Sequence, residues 1–276
     1  MGNTLYLECA SGISGDMLVG ALLDLGADKQ YLSEVLSTIK AEGFRIGYTR
    51  VKRSGLDCQD FDVILDAKHD GHDHDMEYLY GHEHAHGHHH HDHDHEHHDH
   101  NHEHRGLKEI YEILDKTAMT DFARELAKDI FEVIAKAESA VHGLPVNEVH
   151  FHEVGAIDSI VDIVAIAVCI DNLKIDKVIV PKLFDGQGTV RCQHGILPVP
   201  VPAVTNIVAE HKIALEILNV KGELVTPTGA AAVAALRTTS ILPKEFIIKK
   251  VGMGSGKRDY GLAGFLRAMI IEETKA

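Results

Sequence analysis

The sequence predicts an α/β or α+β fold, with mixed sheets and packed helices, interrupted by a disordered His-rich insert. Three observations carry this expectation. Short runs rich in β-branched residues alternate with stretches of helical period. Phe122, Leu126, Ile130, Val133, Ile134, Ala137 and Val141 recur at spacings of 4, 4, 3, 1, 3 and 4, one apolar helix face. Residues 69–104 hold 17 of the 22 His, interleaved with Asp and Glu, and offer almost nothing that could pack into a core.

In chain order, "NTLYLECA" (3–10) alternates like a strand. "SGDMLVGALLDLGAD" (14–28) follows as a helix, with Ser14 as the cap and Gly26 at its end. Leu32, Val35, Leu36 and Ile39 mark a second helix, and "FRIGYTRVKR" and "FDVILDA" two strands. A mixed α/β unit over 1–68, the insert over 69–104, and a helical then α/β unit over 105–276 make up the expected organisation. In the last unit "RGLKEIYEIL" begins a helix and the 122–141 face follows. "SIVDIVAIAVCIDNL" (159–173) is apolar nearly all round: a buried helix led by Asp158, with a strand as the alternative because of its β-branched content. "KVIV" is a strand, "TNIVAEH" a helix, "IALEIL" a strand and "TGAAAVAAL" a small-residue helix. "EFIIKKVGM" and "FLRAMIIEE" are the final strands.

Composition excludes several classes. The net charge of −15 is concentrated in residues 66–104, where eleven Asp or Glu face one Lys. No basic stripe remains to neutralise phosphates, so nucleic acid is not an expected partner. The longest apolar run, Ile163–Ile170, is too short to span a bilayer. The start "MGNTLYLECA" lacks a signal-peptide pattern, and Tyr6 stands where myristoylation wants Ser or Thr. Cys9, Cys58, Cys169 and Cys192 are scattered without a CxxC, which fits buried thiols in a reducing, cytoplasmic setting.

Six stretches could carry chemistry. The insert, including His84, His86, His88, His89, His90 and His91, is internal and mixed with carboxylates, unlike an expression tag; its imidazoles suit first-row transition metals. Without fixed geometry it reads as a metal reservoir, not a catalytic centre. "SGISGDM" puts Ser11, Gly12, Ser14 and Gly15 between a strand and a helix, where free N–H groups bind anions, with Asp16 as a base or metal ligand; a plain tight turn is the alternative. In "VHFHEVGAIDSIVDI", His150 and His152 share a strand face and Glu153 follows. Asp158 and Asp162 share a helix face. Together they make a first shell for a transition metal, or else surface His with a capping Asp.

In "CQHGILPVPVPA", alternating Pro stiffens an extended segment and forbids a central strand. In "KGELVTPTGAA", Thr226, Thr228 and Gly229 begin a helix, a second anion-friendly start, with Glu223 upstream. "VGMGSGKRD" fails as a P-loop, because Val251 replaces the first Gly and Arg258 the Ser or Thr. It reads as a Gly-rich loop offering Lys257, Arg258 and Asp259 to a charged ligand.

"ECASGISGDMLVGALLDLGAD", "HFHEVGAIDSIVDI", "HGILPVPVPA", "GELVTPTGAA" and "GMGSGKRD", in this order around a His-rich insert, resemble the LarC nickel insertion family. The resemblance implies insertion of Ni(II) into a pyridinium bis-thiocarboxylic acid mononucleotide, making two Ni–S bonds and one Ni–C bond. The product is the nickel-pincer cofactor of lactate racemase. The implied enzyme class is a lyase, a cyclometallase, dependent on CTP with Mn or Mg. Forming a Ni–C bond needs a base, for which Asp16 or Glu153 is expected. His150, His152 and Asp158 are the expected nickel ligands, and Ser11–Gly15 or Thr226–Gly229 the expected phosphate cradle. Family members continue into a C-terminal CTP-binding domain, whereas this chain stops at "IIEETKA". The resemblance therefore implies the N-terminal portion, with the C-terminal domain and lactate racemase as partners and a homo-oligomer compatible. A non-catalytic nickel storage or delivery protein is the alternative.

Overall fold

The computed structural model describes residues 2–41, 43–66, 105–151, 157–192 and 194–274. The expected insert over 69–104 lies outside them, as do His152 and Glu153. Among the described residues the fold is mixed α/β, with seven α-helices and two mixed sheets.

The first half runs β1 (Asn3–Glu8), α1 (Gly15–Asp24), α2 (Lys29–Leu36), β2 (Phe44–Arg53) and β3 (Leu56–Leu65). After the undescribed stretch come β4 (Arg105–Gly106), α3 (Leu107–Lys116), α4 (Asp121–His142), β5 (His150–Phe151) and α5 (Ile157–Asn172). The chain continues through β6 (Ile175–Ile179), β7 (Leu183–Cys192), β8 (Gly195–Val199), α6 (Pro202–Glu210), β9 (Leu215–Lys221), α7 (Pro227–Leu236), β10 (Phe246–Ser255) and β11 (Phe265–Glu273).

The main sheet has the order β2-β3-β10-β11-β1-β6. Strands from before and after the undescribed stretch therefore share one sheet. β1 runs antiparallel to β11 and parallel to β6, and β10 meets β3 in parallel. A second sheet, β8-β7-β9, places β8 at an edge. Pro198 sits in that edge strand, where its missing N–H breaks no interior ladder.

Helix α1 lies very close to the main sheet. Gly252 and Gly254 of β10 pass under it, and a Cβ on either would overlap the carbonyls of Ala21 or Met17; one on Gly20 would crowd the Gln59 carbonyl. The strand expected through Met253 therefore runs on through Gly254 and Ser255, two residues into the stretch expected as loop. Its glycines seat a helix, and the loop begins only at Gly256. Helix α5 resolves the helix-or-strand alternative as helix. Ile160, Val161 and every residue from Ile163 to Ile170 are buried, and the helix packs on α1 and α4.

The apolar face of α4 is shorter than its periodicity suggested. Leu126, Ile130, Val133, Ile134 and Ala137 are buried, but Phe122 and Val141, in the end turns, are exposed. Thr120 caps its start by accepting from the Ala123 N–H, and Gly143 ends it with φ 65°, in the left-handed region. One continuous apolar core runs from Leu5 of β1 to Ile270 of β11.

Candidate functional site

The β1–α1 turn is built by backbone interlock. The Ile13 N–H donates to the Leu224 carbonyl (2.9 Å), and the Thr226 N–H donates to the Ile13 carbonyl (3.1 Å). Gly12 has φ 85°, and a Cβ there would overlap Leu224, so only glycine fits for two independent reasons. Gly229, in the first turn of α7, packs against the Ile13–Ser14 backbone. Thr226 caps α7 by accepting from the Gly229 N–H (3.2 Å), and Thr228 is buried. The two expected anion cradles, Ser11–Gly15 and Thr226–Gly229, are thus brought together, laced to each other.

Behind this interlock stands Asp185 of β7, fully buried. Its Oδ1 accepts from the N–H groups of Gly186 (2.8 Å), Leu224 (2.8 Å) and Val225 (3.1 Å). Burial raises its pKa, and those three donors pull it back down.

Asp16 sits in the first turn of α1. Its Oδ1 accepts from the Met17 N–H (2.9 Å) and from the Ser14 hydroxyl. Ser14 occupies the N-cap position but makes no side-chain capping bond, because its hydroxyl is turned to Asp16 instead. This corrects the expected capping role. Asp162 of α5 comes against the same turn. Its Oδ2 lies so near the Gly15 Cα that a Cβ would overlap it, and its Oδ1 is buried with no hydrogen-bond partner.

Asp60 and Asp62 of β3 complete the group through Lys257, whose Nζ lies 2.7 Å from Asp60 Oδ1 and 3.4 Å from Asp62 Oδ1. Asp162 is held well above the ordinary carboxylate range, chiefly by burial and then by the charges of Asp16 and Asp158, with Lys257 opposing. Asp16 is also raised by burial, against the Ser14 hydroxyl, Lys257 and the Met17 N–H. Burial works to lower the Lys257 pKa, but the Asp60 hydrogen bond and the charges of Asp16, Asp60 and Asp62 outweigh it and leave the ammonium raised. Two carboxyls whose pKa values are raised by burial thus share the field of a charged lysine.

The family comparison matches this chain over residues 5–276 to the model described as "Nickel insertion protein". The chain belongs to the nickel insertion protein family. A relative from Alkaliphilus metalliredigens, named pyridinium-3,5-bisthiocarboxylic acid mononucleotide nickel insertion protein, is 50% identical over 275 residues, covering 100% of this chain and 62% of the relative. Relatives of the same name from Clostridium acetobutylicum (45% identical, 98% of this chain, 64% of the relative) and Lactiplantibacillus plantarum (42%, 99% and 62%) match similarly. The chain therefore spans somewhat over 60% of the length of these relatives. No solved structure matches.

Of the site residues expected from sequence, the structure brings Ser11, Gly12, Ser14, Gly15 and Asp16 together with Thr226, Thr228 and Gly229. Asp158 is exposed in the first turn of α5. His150 is placed in β5 by its backbone, and His152, Glu153 and His84–His91 lie outside the described residues. Among the described residues, no group of three or more His, Cys, Asp or Glu side chains is arranged to hold a metal ion. No helix among them is long and apolar enough to cross a membrane, and all four Cys are free thiols. Sequence reading missed Asp60 and Asp62, which sit in an alternating strand like any solvated pair. It also missed Asp185, whose surroundings "LFDGQG" give no local signal.

Proposed function

We propose that this chain contributes the proton-handling centre for inserting nickel into the pyridinium-3,5-bisthiocarboxylic acid mononucleotide, with nickel as substrate. The observation that carries the reading is the Asp162 carboxyl, buried with an unpartnered oxygen and pressed against Gly15 beside Asp16. A carboxyl in that position costs stability, and a role in the chemistry accounts for its presence there.

Making a Ni–C bond on the pyridinium ring breaks a ring C–H bond. The C–H electron pair goes to the metal, and the proton needs an acceptor. Raised pKa values make Asp16 and Asp162 better bases than ordinary carboxylates, and their proximity lets one hold the proton while the other stays ionised. Lys257 keeps its charge beside them and offsets the carboxylates. The two thiocarboxylates are already ionised near neutral pH, so the Ni–S bonds form with no further proton to place. Ser11, Gly12, Thr226, Thr228 and Gly229 act by fixing the turn that presents Ser14, Gly15 and Asp16.

Nickel ligation by His150, His152 and Asp158, with Glu153 as a further base, belongs to the same reading. So does supply from the imidazoles of residues 69–104. The product would serve lactate racemase, as a cytoplasmic lyase reaction. CTP with Mn or Mg, and a C-terminal domain to bind it, belong to the complete protein, and no residue described here is assigned to them.

The test uses the complete protein with purified mononucleotide and Ni(II), following cofactor formation by absorbance. Asp162→Asn and Asp16→Asn should each lower the insertion rate at least 100-fold while bound nickel is retained. Wild-type rates in both variants would remove the carboxyl pair from the reaction.

A further inference from the structure

β10 ends under the first turn of α1, and the loop that follows carries the lysine of the acidic group. A Cβ on Gly254 would overlap the Met17 carbonyl, and one on Gly256 would stand 3.2 Å from Met17 Sδ. The chain is thus pressed against the neighbour of Asp16 on both sides of Ser255, and Lys257 leaves the sheet at that point. Asp162 reaches the same turn from α5, with its Oδ2 against Gly15.

Lys257 is clamped at its backbone and at its tip. Arg53, the last residue of β2, holds the backbone. Its Nη2 donates to the carbonyls of Gly256 and Lys257, the latter at 3.2 Å, and its Nε donates to Oγ of the buried Ser255 (2.9 Å). The Gly256 N–H closes the loop onto the Gly264 carbonyl (3.0 Å). β3 holds the tip, where Nζ donates to Asp60 Oδ1 (2.7 Å) with Asp62 Oδ1 at 3.4 Å. A lysine stem is flexible, so fixing both ends is what gives its charge a definite place. The leading charges that act on Asp162 come from Asp16 on α1, Asp158 on α5, Asp62 on β3 and Lys257, and of these only Lys257 is positive. Asp16 is acted on by Lys257 and Asp60. In both carboxyls the lysine opposes the rise that burial causes.

We propose that Lys257 is the positioning residue of the carboxyl pair: its clamped ammonium keeps one carboxyl of Asp16 and Asp162 ionised, in the state that accepts the ring proton. The proposal rests on the nickel-insertion reading for what the pair does. Without the ammonium, burial and mutual repulsion would protonate both carboxyls, and neither could act as a base. With it, the proton leaving the ring carbon converts a carboxylate to a carboxyl, the C–H electron pair stays for the metal, and Lys257 keeps its own proton throughout. Arg53 acts one step further back, by holding the loop that carries Lys257.

The experiment titrates the full chain by NMR, with carbon-13 at the aspartate Cγ and the Asp162 signal assigned by its loss in Asp162→Asn. The Asp162 midpoint should rise by about one pH unit in Lys257→Met and stay close to wild type in Lys257→Arg, which keeps the charge. Lys257→Gln, which keeps a donor for Asp60, serves as a second neutral variant and should move the midpoint in the same direction. In the complete protein, the rise of the insertion rate with pH should shift upward by the same amount in both neutral variants. Insertion should then fall about tenfold below the midpoint and recover in alkali. A merely structural lysine would lower insertion equally at every pH. An unmoved Asp162 midpoint in both neutral variants would overturn the proposal. A moved midpoint with wild-type insertion in Asp16→Asn and Asp162→Asn would leave the hold of Lys257 on the pair standing and defeat the insertion reading. An unmoved midpoint with insertion lost in those two variants would do the reverse.

Discussion

Asp162 and Asp185 are both carboxyls withdrawn from water, and each has one oxygen that is buried without a hydrogen-bond partner. Burial is the leading cause of a raised pKa in both. What surrounds the rest of the carboxyl differs. Asp185 gathers three backbone N–H groups on Oδ1, and two of them, from Leu224 and Val225, tie the 222–226 loop to β7. Asp162 faces Gly15 and the charges of Asp16 and Asp158. One aspartate is surrounded by donors and stabilises the turn. The other is surrounded by acids and is a liability to the fold. A buried carboxyl therefore signals function here only when its neighbours fail to satisfy it.

The largest effect that separates the two should come from Asp185→Ala. Three buried N–H groups would lose their acceptor, at a cost on the order of 3 kcal/mol after partial rescue by water. Urea denaturation checks this, and Asp185→Asn, which keeps an acceptor oxygen, should lose no more than about 1 kcal/mol. A loss below about 0.5 kcal/mol in the alanine variant would mean that the interlock with Ile13 holds the loop unaided.

Gly15→Ala should come next, at about 2 kcal/mol, because its methyl group would overlap the Asp162 carboxylate. The penalty should shrink by at least half in an Asp162→Ala background, where the space is free. Strict additivity in this double-mutant cycle would show that the two residues are not in contact.

Acidity gives a smaller contrast. A carboxyl whose pKa rises on folding binds its proton more tightly in the native state. It therefore favours folding at pH below its unfolded value, and the advantage is lost as pH rises from the ordinary 3.8 through the folded value. Asp162 is raised further than Asp185, so its contribution should fade over a window reaching closer to neutrality. Melting temperatures of the wild type against each Asn variant, from pH 4 to pH 8, should diverge over a wider pH range for Asp162. Coincident profiles would erase the distinction.

Much of this site was legible in the sequence, and the reason lies in local patterns. "SGISGD" announced a strand-to-helix turn, and the spacing of Asp158 and Asp162 placed them on one helix face. What stayed hidden was long-range. Gly254 read as loop because its purpose is the close approach of α1, some 230 positions earlier in the chain. β7 and β8 carry Gly186, Gly188 and Pro198, which blur strand alternation, and only pairing within the second sheet fixes them. Lys257 met Asp60 through tertiary packing, and Asp185 served N–H groups about 40 positions away. Phe122 and Val141 fitted the helix period, but the end turns of α4 extend past the core that would have buried them.

The most direct measurement is a paired one on Asp162→Asn, melting temperature at pH 7 beside nickel insertion by the complete protein. Replacing an unsatisfied buried acid with a neutral amide should stabilise the fold by about 1 kcal/mol, a rise of about 2–4 °C for a chain of this size. Insertion should fall at least 100-fold in the same variant. A lower melting temperature with insertion intact would show that Asp162 is structural and that the contrast with Asp185 is mistaken.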